Sequence, residues 1–318
     1  MGSILKTALL CSIVWSGTAV TAKKVVVKMK RHDGATAIYK HQFTTRLKSD
    51  RADLLISRNS QVGGNEGNIR NDRVSLEVTG EWNTRETWGP KDDTSDGTGE
   101  WSIAAKLIEA DSRASVNGTK LGFEKYPFGF EQLRNREMSF EMHSTRGPSL
   151  IRPEFRAYQL RERPDIVTDL SLSWASGIAP SFPDHAIGKG DTWKAEQKLT
   201  FPFYALEATG REAEIVVKST YTVKKVKKDG KVFEIEEERE IEYLGWIETS
   251  SLSVMVEGGG KGKASWEFDV KQGIVNKCQY QQFLDRPSIS IYGKSKVLEQ
   301  VRAEYSMVYQ MKLDKFKK

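Results

Sequence analysis

Residues 213–246 constrain the fold more than any other stretch, because polarity there alternates with period two on both sides of Lys228-Asp229-Gly230. Ahead of those turn residues, Ile215, Val217, Tyr221 and Val223 alternate with Lys218, Thr220, Thr222 and Lys224. Behind them, Phe233, Ile235, Ile241 and Tyr243 alternate with Glu234, Glu236, Glu238, Glu240 and Glu242. A period of two places successive side chains on opposite faces of a strand, which no helix can satisfy. A three-residue loop with Gly230 in the left-handed region sets Lys227 opposite Lys231. Counting outward brings Val223 to Ile235, Val217 to Ile241 and Ile215 to Tyr243 on one face, and Lys224 to Glu234 and Lys218 to Glu240 on the other. A two-residue loop would place Lys224 against Ile235 and mix the faces, so the pattern selects its own register.

The same device recurs at Lys271-Gln272-Gly273, pairing Val270 with Ile274, Phe268 with Asn276, Trp266 with Cys278 and Ala264 with Tyr280. At His32-Asp33-Gly34 it pairs Val27 with Tyr39 and Met29 with Ala37. Val297, Val301, Ala303, Tyr305, Met307, Tyr309, Met311 and Leu313 form one very long strand, and Val74, Leu76 and Val78, residues 101–108 and residues 138–142 form others. Strands this long exceed the usual five to six residues and must twist and curl. The expected fold is mainly β, with long curved antiparallel hairpins forming a half-open barrel or two β-rich halves. One short helix is predicted near 164–176, where Pro164 precedes Ile166, Val167, Leu170 and Trp174 at helical spacing, and it would cover the apolar concave face.

Lys6, an apolar run over residues 8–15 and the small residues Ala19-Val20-Thr21-Ala22 have the layout of a signal peptide over 1–22. The apolar run falls short of the roughly 20 residues a membrane helix needs, and no transmembrane segment is expected after leader removal. Cys11 would leave with the leader, so Cys278 remains as a lone thiol and core burial must supply the stability. Apolar residues make up 38% of the chain, enough for that core. The formal charge of +6 arises from 49 basic and 43 acidic residues interleaved along the chain. That pattern fits a solvated surface and not the basic stripe of a nucleic-acid binder, so no nucleic-acid partner is expected. The proline-punctuated stretch Ala179-Pro180-Ser181-Phe182-Pro183-Asp184 suggests a boundary between an N-terminal half, 23–177, and a C-terminal half, 178–318.

Three motifs in series carry a resemblance: Ile178-Ala179-Pro180-Ser181-Phe182-Pro183 leading to Gly188-Lys189-Gly190-Asp191-Thr192-Trp193, the Lys-Asp-Gly hairpin, and Gly260-Lys261-Gly262-Lys263-Ala264 leading to Phe268-Asp269-Val270-Lys271-Gln272-Gly273. Over about residues 135–285 the chain resembles exported bacterial β-rich envelope proteins of unknown function, themselves similar to lipoprotein-localisation carriers that fold as a half barrel closed by helices. The resemblance implies an envelope location and a non-enzymatic role, binding acyl chains or a partner protein in the concave face. It supplies no catalytic residue.

Patterns that carry chemistry are few. His32, His41, His143 and His185 match no zinc arrangement and read as surface or turn residues, so no metal or cofactor is expected. The run Gly258-Gly259-Gly260-Lys261-Gly262-Lys263 and Gly293-Lys294-Ser295 sit between strands and not ahead of a helix, so they read as glycine-rich turns and not as phosphate loops. Asp92-Asp93-Thr94-Ser95-Asp96-Gly97 reads as an acidic loop, since Ile103 falls where a calcium loop needs glutamate. Asn117-Gly118-Thr119 reads as a hairpin turn. Trp82 reads as core, whereas Trp88 and Trp101 flank the acidic loop and are candidates for stacking on sugar rings.

One feature conflicts with a plain core. In the derived register Glu237 and Arg239 fall on the apolar face, with Tyr221 and Ser219 opposite. Charges in a dry interior cost several kcal/mol each. A bulge or a solvated stretch would relieve that cost. The functional alternative is an anchor in which Arg239, with Glu237 and Tyr221, holds an anionic head group at the mouth of an apolar groove. The leading expectation is an exported, periplasmic or extracellular, non-catalytic envelope protein that binds a lipid or other amphipathic ligand, or another envelope component. The alternatives are a carbohydrate-contacting module using Trp88 and Trp101, and a hydrolase whose site is assembled from distant residues.

Overall fold

A computed structural model describes residues 24–49, 74–89, 100–121, 137–153, 179–202, 212–248, 253–292 and 297–318. The strands are β1 (Thr36–Ser49), β2 (Val74–Gly89), β3 (Glu100–Val116), β4 (Thr119–Leu121), β5 (Glu137–His143), β6 (Gly147–Pro153), β7 (Thr192–Pro202), β8 (Glu212–Lys227), β9 (Val232–Glu248), β10 (Ser253–Asp269), β11 (Ile274–Tyr292) and β12 (Val297–Lys317). They lie in one sheet ordered β2-β1-β12-β11-β10-β9-β8-β7-β6-β5-β3-β4, and a further β2–β3 pairing bends it into an 11-strand, nearly closed barrel from which only β4 is left out. Strands from both sides of position 178 enter this sheet. Neighbours run antiparallel except β6 and β7, which meet in parallel at the single pair Leu150–Thr200. The helix expected near 164–176, the acidic loop at 92–97 and Gly293-Lys294-Ser295 lie outside the described residues.

The alternation in the sequence becomes an inside and an outside. On β9, Phe233, Ile235, Glu237, Arg239 and Ile241 are buried while Glu236, Glu238, Glu240 and Glu242 are exposed. The outer glutamates meet lysines of the flanking strands, as in Lys224–Glu236 at 2.9 Å and Lys218–Glu242 at 3.0 Å. Such exposed pairs contribute little stability. They do make this stretch of wall a solvated face, because a lysine held against mid-membrane hydrocarbon costs about 2–4 kcal/mol.

The registers hold where the hydrophobic pattern is strong. Val223–Ile235, Val217–Ile241 and Ile215–Tyr243 pair as expected between β8 and β9. The loop is one residue longer than expected, since Lys227 faces Val232, and Lys228, Asp229 and Gly230 all take left-handed φ values of 52°, 54° and 89°. A bulge at Lys224 absorbs the extra residue, so Lys225 and not Lys224 faces Glu234. The β10–β11 hairpin repeats the compensation: Trp266–Cys278 and Ala264–Tyr280 hold, while Phe268 meets Val275 past a bulge at Asn276. Core-facing pattern thus overrides loop length, and a bulge is the adjustment that permits it. Asn117 and Gly118, with φ values of 49° and 81°, form the expected tight turn between β3 and β4. The glycine run at 258–263 is not a turn; it lies inside β10.

The hairpin expected at His32-Asp33-Gly34 does not form, because β2 and β12 occupy both edges of β1. Residues 24–35 instead cross one end of the barrel. Val25 bridges Ile187, the Met29 N–H donates to the Ser144 carbonyl at 2.8 Å, and the Lys30 N–H donates to the Gly273 carbonyl at 3.0 Å. Residues 179–191 join them, with the Phe182 N–H donating to the Thr145 carbonyl at 2.7 Å. Together the two segments make a floor that buries Val27, Met29, Ala179, Phe182 and Ile187, with the Phe182 ring 4.6 Å from Phe268. Eight strands enclose a space that side chains alone can fill, and barrel diameter grows with strand number. In this wider ring, main-chain segments complete the packing at the floor.

Candidate functional site

Cross-strand pairing assembles two adjacent tiers on the inner face above the floor. The lower runs Phe43, Tyr309, Tyr280, Ala264, Glu237, Tyr221 and Trp193 across β1, β12, β11, β10, β9, β8 and β7. The upper runs Thr45, Met307, Gln282, Gly262, Arg239, Ser219 and Ala195 across the same strands. The charged pair the sequence put on this face is there, at 2% exposure for Glu237 and 4% for Arg239.

Neither a bulge nor solvent relieves it, for the β8–β9 pairing is regular from Ser219 to Tyr221. The protein satisfies the charges internally. One Glu237 oxygen accepts from Ser219 Oγ at 2.6 Å and Arg239 Nε at 3.1 Å; the other accepts from Arg239 Nη2 at 2.7 Å and Trp266 Nε1 at 2.8 Å. Those four donors use the acceptor capacity of the carboxylate. The guanidinium lies over the Tyr280 ring, 5.0 Å from its centre. Burial pulls the Arg239 pKa down, but the charge and hydrogen bonds of Glu237, joined by Tyr221 and Cys278, together leave it raised. Gly262 permits this arrangement, because a Cβ there would stand 2.9 Å from the Gln281 carbonyl oxygen and 3.0 Å from Arg239 Cγ.

Tyr221 belongs to the floor attachment. Its hydroxyl accepts from the Ser181 N–H at 3.3 Å, its ring stacks on Trp193 at 5.2 Å, and Trp193 Nε1 donates to the Ser181 carbonyl at 2.9 Å. Burial, followed by the Glu237 charge, pushes its phenol up.

A second polar group sits on the opposite arc of the wall. His41, expected at the surface, is buried: Nδ1 lies 2.7 Å from the Tyr309 hydroxyl, Nε2 lies 2.7 Å from Thr84 Oγ1, and the ring stacks on Trp82 at 5.0 Å. Burial lowers its pKa from 6.5 to about 3, so the ring is neutral at ordinary pH. The signal was present, since His41 shares the parity of Ala37, Tyr39 and Phe43, all of which face inward. The other histidines match the expectation more closely. His32 and His143 hold turns, the latter accepting the Thr145 and Arg146 N–H groups at 3.1 Å each, and His185 is exposed.

Trp82 is core, as expected. Trp88 and Trp101 are core as well, at 1% and 2% exposure with ring centres 6.4 Å apart, so neither offers a face to a sugar. Cys278 is free and buried, and burial pushes its thiol far up, which leaves it a poor nucleophile. Sequence reading missed Gln282, which is 2% exposed and whose side-chain carbonyl oxygen has no hydrogen-bond partner among the described residues.

The fold and its interior define an all-β, nearly closed barrel with a polar tier across its lumen. No family model matches the chain, and no curated protein does. Among solved structures it is similar to one described as lipid–protein interactions in lipovitellin, with a TM-score of 0.45 and 9% identity over 91% of this chain and 26% of that one. It thus spans about a quarter of the lipovitellin chain. A second is an acetoacetate decarboxylase-like enzyme from Sphingomonas wittichii RW1, with a TM-score of 0.12 and 10% identity over 90% of this chain and 93% of that one. Neither likeness bears on what this chain binds. Among the described residues no helix is long and apolar enough to cross a membrane.

Proposed function

We propose that the chain is an exported, non-catalytic barrel that holds an apolar or amphipathic ligand in its lumen. The observation that carries this reading is the change in the inner wall along the barrel axis. At the floor, aromatic side chains and two crossing segments together fill the ring. One tier higher the wall sets the small residues Thr45, Gly262, Ser219 and Ala195 among Met307, Gln282 and Arg239, and Val217 and Ile241 line the step beyond. Small side chains at these positions favour admitting a guest, and larger barrels enclose ligand cavities behind such walls.

A non-catalytic role is supported by how the reactive side chains are employed. His41 has a partner on each nitrogen, Glu237 has four donors, and the Cys278 thiol is buried and protonated. Export is supported by the leader-like residues 1–22. Native mass spectrometry of protein from an exporting host, purified without detergent, tests both parts. We expect a mature chain beginning near Lys23 that carries a lipid-sized adduct lost on denaturation. A retained leader overturns export, and a bare mass together with no binding of added lipid overturns ligand binding.

A further inference from the structure

We infer that the polar end of the ligand is an uncharged hydroxyl-bearing group, and that the side-chain amide of Gln282 receives it beside the glycine stripe of β10; this rests on the ligand-binding reading above. Against β9, Gly262 pairs with Arg239, Gly260 with Ile241 and Gly258 with Tyr243, so three alternate positions of β10 share a face without side chains. Glycine inside a strand marks a place where something approaches the backbone closely. For Gly262 that something is the Arg239 stem.

Gln282 stands next to Gly262 on β11, on the buried face that alternates with exposed Gln281 and Phe283. Its Oε1 is buried without a hydrogen-bond partner among the described residues. A buried amide oxygen left without a donor is costly, and native structures rarely tolerate it. Its tier neighbours, Met307 and Gly262, carry no side-chain donor, and a guest hydroxyl would supply one. Charge then selects the guest. The nearest charges, Arg239 and Glu237, cancel within a bidentate pair. A carboxylate or phosphate entering this tier would be desolvated with no surplus positive charge to receive it, whereas a hydroxyl donates to Gln282 and loses little. The same neutrality argues against the anionic head group expected at Arg239. The ligand class is therefore a neutral long-chain alcohol or monoacylglycerol, its apolar body along the glycine stripe and beside Val217 and Ile241.

Tryptophan fluorescence titration of delipidated protein with monooleoylglycerol and with oleate, each below its aggregation concentration at pH 8, tests this. We expect monooleoylglycerol to bind about tenfold more tightly, the worth of one well-formed hydrogen bond. We expect the near-isosteric Gln282→Met to narrow that preference by weakening monooleoylglycerol while leaving oleate affinity unchanged, and Gly260→Val to weaken both ligands. Equal or tighter binding of oleate, or full retention of the preference in Gln282→Met, overturns the inference while the ligand-binding reading survives. Binding of neither ligand, together with a bare native mass, overturns the reading itself. If Gln282→Met does not fold, the wild-type preference between the two ligands decides.

Discussion

Two arcs of one barrel wall bury polar groups by opposite means. On β8 and β9, Glu237 and Arg239 keep their charges and cancel them against each other, with Ser219 and Trp266 occupying the remaining acceptor sites. On β1, β2 and β12, His41 gives up its charge and becomes a neutral link between Tyr309 and Thr84. The first arrangement does not tolerate the loss of a partner. The second tolerates the loss of a partner better, yet it is exposed to acid. The difference follows from the groups themselves: a guanidinium cannot shed its proton in a protein, whereas an imidazole does so near neutrality.

The largest test of this contrast removes one charge. Arg239→Met should cost about 3–5 kcal/mol in urea unfolding by stranding Glu237, and Glu237→Leu with Arg239→Met should recover most of it. Equal losses in the single and double variants would show that the two residues do not act as a unit. Acid probes the other arc. The folded pKa of His41 is about 3, below its ordinary 6.5, so the unfolded chain takes up the proton first. The stability associated with neutral His41 is fully present above pH 6.5 and is lost as pH falls from there toward 3, by about 3 kcal/mol at pH 4. His41→Gln should flatten that slope, and a slope unchanged in the variant would assign it to other groups. Gly262→Ala comes next, at about 1–3 kcal/mol, because its Cβ would press on the Gln281 carbonyl and the Arg239 stem. An unchanged melting temperature there would mean the stem does not lie against β10. Smallest of all, Lys218→Ala removes an exposed outer pair and should leave the urea midpoint where it was, in contrast to the inner Glu237–Arg239 pair on the other face of β9.

The strands and their faces were legible because the sequence writes them twice, once in the apolar alternation and once in the Lys–Glu alternation of the outer face. The β8–β9 and β10–β11 registers could be counted from turn to turn, and a bulge in each hairpin corrected a loop length that the pattern alone does not determine. Glu237 and Arg239 were placed on the inner face by the same counting, but their mutual satisfaction depends on Trp266 and Gly262 of a strand about 25 residues away. The floor was not legible. Val25, Val27 and Met29 alternate as a strand would, and nothing local distinguishes pairing with β1 from crossing the barrel to reach Ile187, Ser144 and Gly273. The glycine run of β10 misled for a related reason: glycine frees the backbone for a turn, and it equally makes space beside a neighbouring strand.

The parallel joint between β6 and β7, paired at Leu150–Thr200, follows from parity. A ring in which every neighbour runs antiparallel needs an even number of staves; eleven leave one joint where two adjacent staves point the same way, and here that joint holds one backbone register pair and the Gln197 side-chain amide donating to the Arg146 carbonyl at 2.8 Å. A hooped cask opens along its weakest stave. Amide exchange near Leu150 and Thr200 should therefore outpace that at the long β9–β10 and β11–β12 joints, and the barrel has a built-in place to part without breaking its best-bonded walls.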